Sequence, residues 1–203
     1  MKLFLLACLV LLPLGCFASK DVNLTTDLDV KPVPVPSIDI SYFFQQADAG
    51  QLTIDSQVIF ILSDEMKKAL GHEIPLYFDV ELRVLEENEL LKISYQKRHH
   101  TISYQISLSH SNYDNLFIIT NMHRQSQQIF NTLQEALRTF GTLRNFNVMN
   151  LADFDKNKAY SIEFRVKFNR WMLPTALIIN SFIDPNWYLS SDWHRVKIKV
   201  LDE

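Results

Sequence analysis

The chain has 203 residues, of which 47% are hydrophobic, 12% are aromatic and 21% are charged, and its formal net charge is −3. This length and composition are typical of one folded domain, with or without an appendage, and they exclude a disordered chain. The acidic balance argues against a nucleic-acid binder, which normally carries a basic surplus, and the scarcity of glycine excludes a glycine-rich nucleotide loop.

The first eighteen residues have the pattern of a secretory signal peptide. Lys2 precedes an apolar run over residues 3–14, which is shorter than the ~20 residues that span a bilayer. The small residues Cys16 and Ala18 predict cleavage after Ala18, so that residues 1–18 are removed. The alternative is a lipoprotein signal in which Cys16 is lipidated, and this would tether the chain to a membrane.

Residues 19–37 are predicted to be a spacer between the signal and the domain. Pro32, Pro34 and Pro36 alternate with valines there, and such alternation favours an extended polyproline II segment. Both cysteines of the chain, Cys8 and Cys16, precede this spacer. Cleavage after Ala18 would therefore leave a chain with neither disulfide nor thiol chemistry.

From Ile38 onward the dominant hydrophobic period is two residues, which marks antiparallel strands with one buried face. The predicted strands are Ile38–Phe44, Leu52–Leu62, Phe78–Val84, Leu91–Lys97, Ile102–Leu108, Leu116–Thr120, Ile162–Phe168, Leu177–Phe182, Trp187–Leu189 and Val196–Val200. Many short strands separated by turns predict a mainly β, antiparallel, sandwich-like domain over residues 38–203.

Two short helices are predicted between the strands. Ser63 is a predicted N-cap for a helix over Asp64–Leu70, and Gly71 is expected in the left-handed conformation after it. Thr132 and Glu135 form a capping-box pattern ahead of a second helix, whose apolar face includes Leu133, Ala136, Leu137 and Phe140. Gly141 is the predicted stop of this second helix.

No complete metal site is predicted. Asp153, Asp155 and Asn157 match the opening of a calcium loop, but Lys158 and Phe164 stand where such a loop needs glycine and glutamate. An Asp/Asn-rich turn before the next strand explains the same residues. The six histidines show no pair at metal-ligand helical spacing. We therefore expect no bound metal and no cofactor.

Catalytic groups are also not evident from the pattern. Ser190 and Ser191 do not lie in a nucleophile elbow, although a triad is defined by geometry and a hydrolase stays open as a lesser alternative. The run from Lys97 to His100 predicts a solvated hairpin tip, and its alternative role is a basic patch that contacts anionic lipid or an acidic partner.

The segment from Trp187 to Trp193 is the most unusual part of the chain. In an extended chain Trp187, Leu189, Ser191 and Trp193 face the same way. Packing against the core is the leading interpretation of both tryptophans. The alternative is an aromatic platform for a sugar or peptide, with Trp187, Ser190, Ser191 and Trp193 as the candidate binding residues.

Several motifs together give a family resemblance. They are Ile74-Pro75-Leu76-Tyr77-Phe78, Phe130-Asn131-Thr132-Leu133-Gln134-Glu135-Ala136-Leu137, Gly141-Thr142-Leu143-Arg144, Leu173-Pro174 and, most specific, Trp187-Tyr188-Leu189-Ser190-Ser191-Asp192-Trp193. The chain resembles the proteobacterial "domain of unknown function 4390" family of exported proteins. The resemblance implies no activity, but it implies a genetic neighbourhood with sensor-kinase systems.

These observations predict an exported protein in the periplasm of a Gram-negative bacterium, free or tethered through Cys16 or an uncleaved signal. The leading function is a non-enzymatic module that binds an envelope protein partner, such as the external domain of a sensor kinase. The alternative is a small-ligand or glycan-binding domain that uses the aromatic face of Trp187 and Trp193. No nucleic-acid partner is expected.

Overall fold

The structure, a computed structural model, describes residues 35–48, 50–90 and 93–198. The predicted signal peptide and nearly all of the predicted spacer lie outside these residues. Within the described ranges, no helix has both the length and the apolar character needed to cross a membrane.

Two antiparallel sheets make up most of the described chain, which confirms the predicted mainly β, sandwich-like fold. The strands are β1 (Ser37–Asp48), β2 (Gln51–Ile61), β3 (Leu76–Leu90), β4 (Ile93–Ser111), β5 (Leu116–Asn121), β6 (Ser126–Phe130), β7 (Thr142–Asn150), β8 (Ala159–Phe168) and β9 (His194–Lys197). The helices are α1 (Asp64–Gly71), α2 (Leu133–Phe140) and α3 (Thr175–Ile183).

The two sheets differ in size. The smaller sheet has the strand order β1-β2-β7, and the larger sheet has the order β6-β5-β4-β3-β8-β9. The side-chain amide of Gln45 on β1 donates to the carbonyl of Lys197 on β9 at 2.6 Å, so this bond links the sheets along one side of the sandwich.

The core lies between the inner faces of the sheets, as the period of two predicts. Alternate residues of the central strands β2, β3 and β8 are buried there: Leu52, Ile54, Val58 and Phe60; Phe78, Val80, Leu82 and Val84; and Ile162, Phe164, Val166 and Phe168. Burying each such side chain contributes ~1.5–3 kcal/mol to folding. These three strands therefore hold the sandwich together and fix the position of any site between the sheets.

Both predicted helix starts are confirmed. The Ser63 hydroxyl accepts a hydrogen bond from the Met66 amide at the start of α1, and the Thr132 hydroxyl accepts one from the Glu135 amide at the start of α2. The left-handed conformation predicted for Gly71 is wrong, because the helix includes that residue. Glu73 takes the positive φ, 58°, two residues later.

The strand predicted over Leu177–Phe182 is wrong, because these residues form most of α3. Consecutive apolar residues without alternation do not distinguish a buried strand from a helix. The strand predicted over Trp187–Leu189 is also wrong. Asp184 caps a 3-10 turn over Pro185–Trp187 by accepting a hydrogen bond from the Asn186 amide, and proline suits the first position of such a turn.

Two strands of the structure were not predicted from the sequence, β6 and β7. In β6 all side chains but the last are exposed, so this strand has no buried alternation. Residues 93–97 of the predicted strand Leu91–Lys97 belong to the same strand as the predicted Ile102–Leu108, β4, and residues 91–92 lie outside the described residues. The predicted hairpin tip from Lys97 to His100 is therefore wrong, because these residues lie within β4 and pair with β3.

Candidate functional site

The four candidate residues of the C-terminal segment do not share one surface. Trp187 is 6% exposed and stacks on Phe168, with the ring centres 6.1 Å apart. Ser191 is buried, and its hydroxyl accepts a hydrogen bond from the Val166 amide at 3.0 Å. Ser190 is exposed, and Trp193 is half-buried. Two of these side chains therefore pack in the interior and are not available to a ligand at the surface.

Trp193 lies between two arginines on the outer face of the larger sheet. The guanidinium carbons of Arg83 and Arg165 are 4.0 and 4.2 Å from the centre of its ring. Cation–π contacts of this kind stabilise the ring where it is. Since arginine side chains already contact the indole, it does not present an open platform of the kind that stacks on a sugar.

An ion-pair network surrounds this tryptophan. The Glu81 carboxylate accepts hydrogen bonds from Arg165 at 2.9 Å, and it pairs with Lys167 at 2.6 Å. Burial raises the pKa of the Glu81 carboxyl, but the bonds from Lys167 and Arg165 outweigh burial and leave the pKa below its ordinary value. The charges of this face are therefore largely paired with one another, and the face fits a structural role.

The residues of the partial calcium motif form a turn. The Asp155 carboxylate accepts hydrogen bonds from the backbone amide of Asn157 at 3.0 Å and from its side-chain amide at 3.2 Å. This arrangement is an Asx turn, as the alternative explanation of the motif requires. In the part of the chain that the structure describes, no three His, Cys, Asp or Glu side chains come together as a metal site.

A cavity of about 160 Å³ lies between the two sheets. Its walls come from β2 and β7 of the smaller sheet, from β3, β4, β5, β6 and β8 of the larger sheet, and from the end of α2. The apolar part of the lining is Val58, Phe60, Val80, Ile106, Ile119, Phe140, Leu143, Phe146, Phe164 and Val166. The rest of the lining is polar or glycine: Ser56, Tyr104, Asn121, Arg124, Ser126, Gln128, Thr139, Gly141, Thr142 and Arg144. The cavity therefore has an apolar part between the sheets and a polar part that includes exposed residues.

Ser56 is a polar residue on the buried face of β2. The inward residues of this strand are Leu52, Ile54, Ser56, Val58 and Phe60. Ser56 is 3% exposed, lines the cavity, and its hydroxyl has no hydrogen-bond partner among the described residues. An unpaired buried hydroxyl costs ~1–3 kcal/mol, and this one is free to donate and accept a hydrogen bond.

Tyr104 supplies a second hydroxyl in the cavity wall. Its ring stacks on Phe146 of the opposite sheet, with the ring centres 5.7 Å apart. Burial raises the pKa of the Tyr104 hydroxyl to about 12, although the charge of Arg124 acts to lower it. The hydroxyl therefore stays neutral at physiological pH and can donate one hydrogen bond.

The turn between β5 and β6 places Arg124 at the cavity. The Asn121 side-chain oxygen accepts hydrogen bonds from the amides of His123 and Arg124, both at 3.0 Å, and Gln125 has a positive φ of 49°. The Arg124 guanidinium carbon lies 5.9 Å from the centre of the Phe146 ring. The hydrogen bonds of this turn thus bring Arg124 of the larger sheet close to the Phe146 ring of the smaller sheet.

A bulge in β7 brings a second arginine to the cavity. Ile54 pairs with Phe146 but Ser56 pairs with Leu143, so β7 has one extra residue opposite Asp55. Asn145 has a positive φ of 46°, and its amide donates to the Asp55 carboxylate at 2.6 Å. Bulges often redirect a side chain beside a functional site, and here Arg144 lines the cavity.

The arrangement can bind a molecule but offers little for catalysis. No Asp, Glu, His, Cys or Lys is among the described residues that line the cavity. The hydroxyls of Ser56 and Tyr104 therefore have no general base in that lining to activate them. The lining instead combines apolar side chains with five hydroxyls, two side-chain amides and two guanidinium groups, and such a mixture suits binding.

Sequence reasoning missed this cavity, although one signal was present. The polar Ser56 interrupts an otherwise apolar inward series in β2, and such an exception points to a functional or paired group. The remaining residues come from strands that are far apart in the sequence. Their meeting depends on the strand order, which the residue pattern does not determine.

The comparison with protein families gives one match. The model of the family described as "Domain of unknown function (DUF4390)" matches residues 22–197, which include every described strand and every residue that lines the cavity. No curated protein and no solved structure matches the chain. The family description names no activity, so the geometry of the cavity must support any functional conclusion.

Proposed function

The chain belongs to the DUF4390 family, and we propose that it is a non-enzymatic binding module that holds a small molecule in the cavity between its two sheets. The observation that carries this proposal is the buried Ser56 hydroxyl, which lacks a partner among the described residues and lines a cavity between the two sheets. Natural cores seldom leave such a group unpaired, so a polar atom of a ligand is the natural partner.

A binding experiment with 1-hexanol, an uncharged probe with an apolar chain, tests the proposal. We expect saturable binding to the full chain, followed by calorimetry or by amide chemical shifts of residues around the cavity. The Ser56→Leu variant adds apolar volume to the cavity wall and removes the unpaired hydroxyl, so it should lose hexanol binding and melt no lower than the wild type. Thr53→Leu is the matched control, because Thr53 lies on the same strand with its side chain on the other face.

Two results would contradict a cavity-bound ligand. One is the absence of saturable binding to the wild-type chain both of hexanol and of six-carbon probes that carry a charged group. The other is unchanged hexanol binding in a folded Ser56→Leu variant. If Thr53→Leu weakened binding as much as Ser56→Leu, the probe would be bound outside the cavity.

A second candidate function is docking of an envelope protein partner, and an exposed apolar surface favours it. The α3 patch, as we name it, consists of Trp171, Met172, Ile179, Ile183 and Tyr188, all exposed. Trp171 is 72% exposed, Ile179 69% and Ile183 76%. Contiguous exposed apolar side chains typically mark interaction surfaces.

The partner that the family resemblance suggests is the external domain of a sensor kinase encoded nearby. Binding of that purified domain to the wild-type chain should weaken at least tenfold in Ile179→Asp and Ile183→Asp. Ile129→Asp is the matched control, since Ile129 is an exposed isoleucine on β6, outside the patch. Equal binding of all three variants would contradict docking at the α3 patch.

We also propose that the chain is exported to the periplasm, on the support of its first eighteen residues. Removal of residues 1–18 would leave Ser19 as the first residue of the mature protein. The mass of the protein recovered from the periplasm tests this. A diacylglycerol-modified Cys16 would instead establish a lipoprotein anchored to a membrane.

A further inference from the structure

We propose that the ligand of the cavity is a small anionic amphiphile, with an apolar body between the sheets and an oxyanion group held by Arg124 and Arg144. This inference rests on the proposed function and adds the chemical class of the ligand. It follows from the charge of the cavity, the positions of the two arginines and the volume of the cavity.

The cavity carries positive charge without a compensating carboxylate. Arg124 and Arg144 both line it, both are exposed, and neither forms an ion pair with a described residue. Some other cations are paired, namely Arg165 and Lys167 with Glu81, Arg195 with Glu163, and Lys158 with Glu86, whereas no carboxylate is among the described residues that line the cavity. In a chain with more acidic than basic residues, this local excess of cations favours an anion at the cavity.

The two arginines approach the cavity from opposite sheets. Arg124 belongs to the turn after β5 in the larger sheet, and Arg144 belongs to the bulge of β7 in the smaller sheet. Local backbone structure positions each arginine: the turn capped by the Asn121 side chain positions Arg124, and the left-handed Asn145 beside it positions Arg144. Guanidinium groups recognise carboxylate and phosphate oxygens with several directed N–H donors, so two of them can hold one oxyanion.

The volume of the cavity limits the size of the apolar body of the ligand. A cavity of about 160 Å³ is close to the ~150 Å³ of an engineered apolar cavity that admits benzene. A body of roughly six carbon atoms therefore fits, whereas the two long acyl chains of an intact phospholipid do not. Ser56 and Tyr104 can each donate a hydrogen bond to a polar atom of the ligand.

Three six-carbon probes separate the headgroup from the body. Hexanoate, hexyl phosphate and 1-hexanol share one chain length and differ in the charged group. We expect at least one of the two anions to bind the full chain tenfold or more tightly than hexanol. A preference for hexanoate would indicate a free carboxylic acid as the ligand, and a preference for hexyl phosphate would indicate a lipid-derived phosphate.

Substitution of the arginines tests where the anion is bound. Arg124→Gln and Arg144→Gln should each weaken binding of the preferred anion at least fivefold more than they weaken binding of hexanol. Arg98→Gln is the control, because Arg98 is an exposed arginine within β4 that does not line the cavity. Melting curves of the three variants establish that each is folded.

The possible failures are distinguishable. If hexanol binds and neither anion binds more tightly, or if the cavity arginines can be replaced without loss, the anionic ligand is wrong while the cavity-binding function stands. If none of the three probes binds, both the anionic ligand and the cavity-binding function are wrong.

Discussion

At the scale of single residues, the Ser56 hydroxyl gives the cavity a polar group and lowers the stability of the core. We expect Ser56→Ala to raise the free energy of unfolding by about 1 kcal/mol, because the variant removes a buried hydroxyl that has no partner among the described residues. Groups kept at a cost to stability are typical of functional sites.

Ser63→Ala is the control for this measurement. Ser63 is also buried, but its hydroxyl caps α1, so the same change should lower the free energy of unfolding by ~1 kcal/mol. Chemical denaturation of the two variants and the wild type compares them directly. A destabilised Ser56→Ala would show that this hydroxyl is already paired.

Tyr104 makes stability depend on pH in the alkaline range. The pKa of its hydroxyl is about 12 in the folded chain and 10.0 as the ordinary value. Between these values the unfolded chain has lost the proton and the folded chain retains it, so stability falls as the pH rises. The loss is on the order of 2 kcal/mol by pH 12.

The comparison with Tyr104→Phe isolates this contribution, because phenylalanine keeps the ring and removes the titrating group. The difference in free energy of unfolding between wild type and variant should be constant from pH 7 to 9 and then change in favour of the variant. A difference that stays constant up to pH 12 would show that Tyr104 titrates normally.

At the scale of elements, the end of α2 depends on a glycine for a close approach rather than for a left-handed turn. Gly141 has φ −76°, and its carbonyl accepts a hydrogen bond from the Val58 amide of β2 at 2.8 Å. A Cβ atom at this position would lie 1.9 Å from the Val58 carbonyl oxygen. Only glycine therefore lets α2 and the start of β7 approach β2 so closely.

Gly141→Ala should lower the free energy of unfolding by at least ~2 kcal/mol, because backbone atoms must separate to make room. Gly71→Ala is the matched control. Gly71 lies within α1 with no atom within 4 Å of an added Cβ, so alanine should raise stability by ~0.5–1 kcal/mol. Thermal melts of the two variants should show a lower melting temperature for Gly141→Ala and a higher one for Gly71→Ala.

The elements that the sequence predicted correctly are those whose signals are local. The caps Ser63 and Thr132 and the alternation of β3 and β8 depend on residues within a few positions of one another. β7 was not predicted because its bulge breaks the hydrophobic alternation between Leu143 and Phe146. α3 was predicted as a strand because a run of apolar residues fits either a strand or a helix until its surroundings are known.

The candidate site was less predictable than the fold. Trp187, Leu189 and Ser191 are buried together, as the alternation predicts. The alternation of buried and exposed side chains does not continue to Trp193. His194 pairs with Phe164 of β8, and Trp193 lies on the outer face beside Arg83 and Arg165. The cavity joins strands that are distant in sequence, so only the tertiary arrangement shows it.

At the scale of the whole molecule, a chain of aromatic rings crosses the interior and joins the layers. Phe60 of β2 lies 5.5 Å from Phe78 of β3, and Phe140 of α2 lies 4.6 and 5.0 Å from these two rings. Phe78 in turn contacts Phe168, and Phe168 stacks on Trp187. Trp187 is therefore the last ring of a series that connects both sheets and α2 to the C-terminal segment.

Truncation of the two tryptophans distinguishes this internal role from the role at the outer face. Trp187→Ala should lower the free energy of unfolding by ~3–5 kcal/mol, because it removes a buried ring from this series. Trp193→Ala should lower it by only ~1–2 kcal/mol, since the half-buried ring loses mainly its contacts with Arg83 and Arg165. Melting curves of both variants and of Lys197→Ala, an exposed control, measure both effects.

If Trp187→Ala had the same melting temperature as the wild type, the aromatic series would not hold the layers together. If only Trp193→Ala were severely destabilised, the outer network around Glu81 would have that role instead.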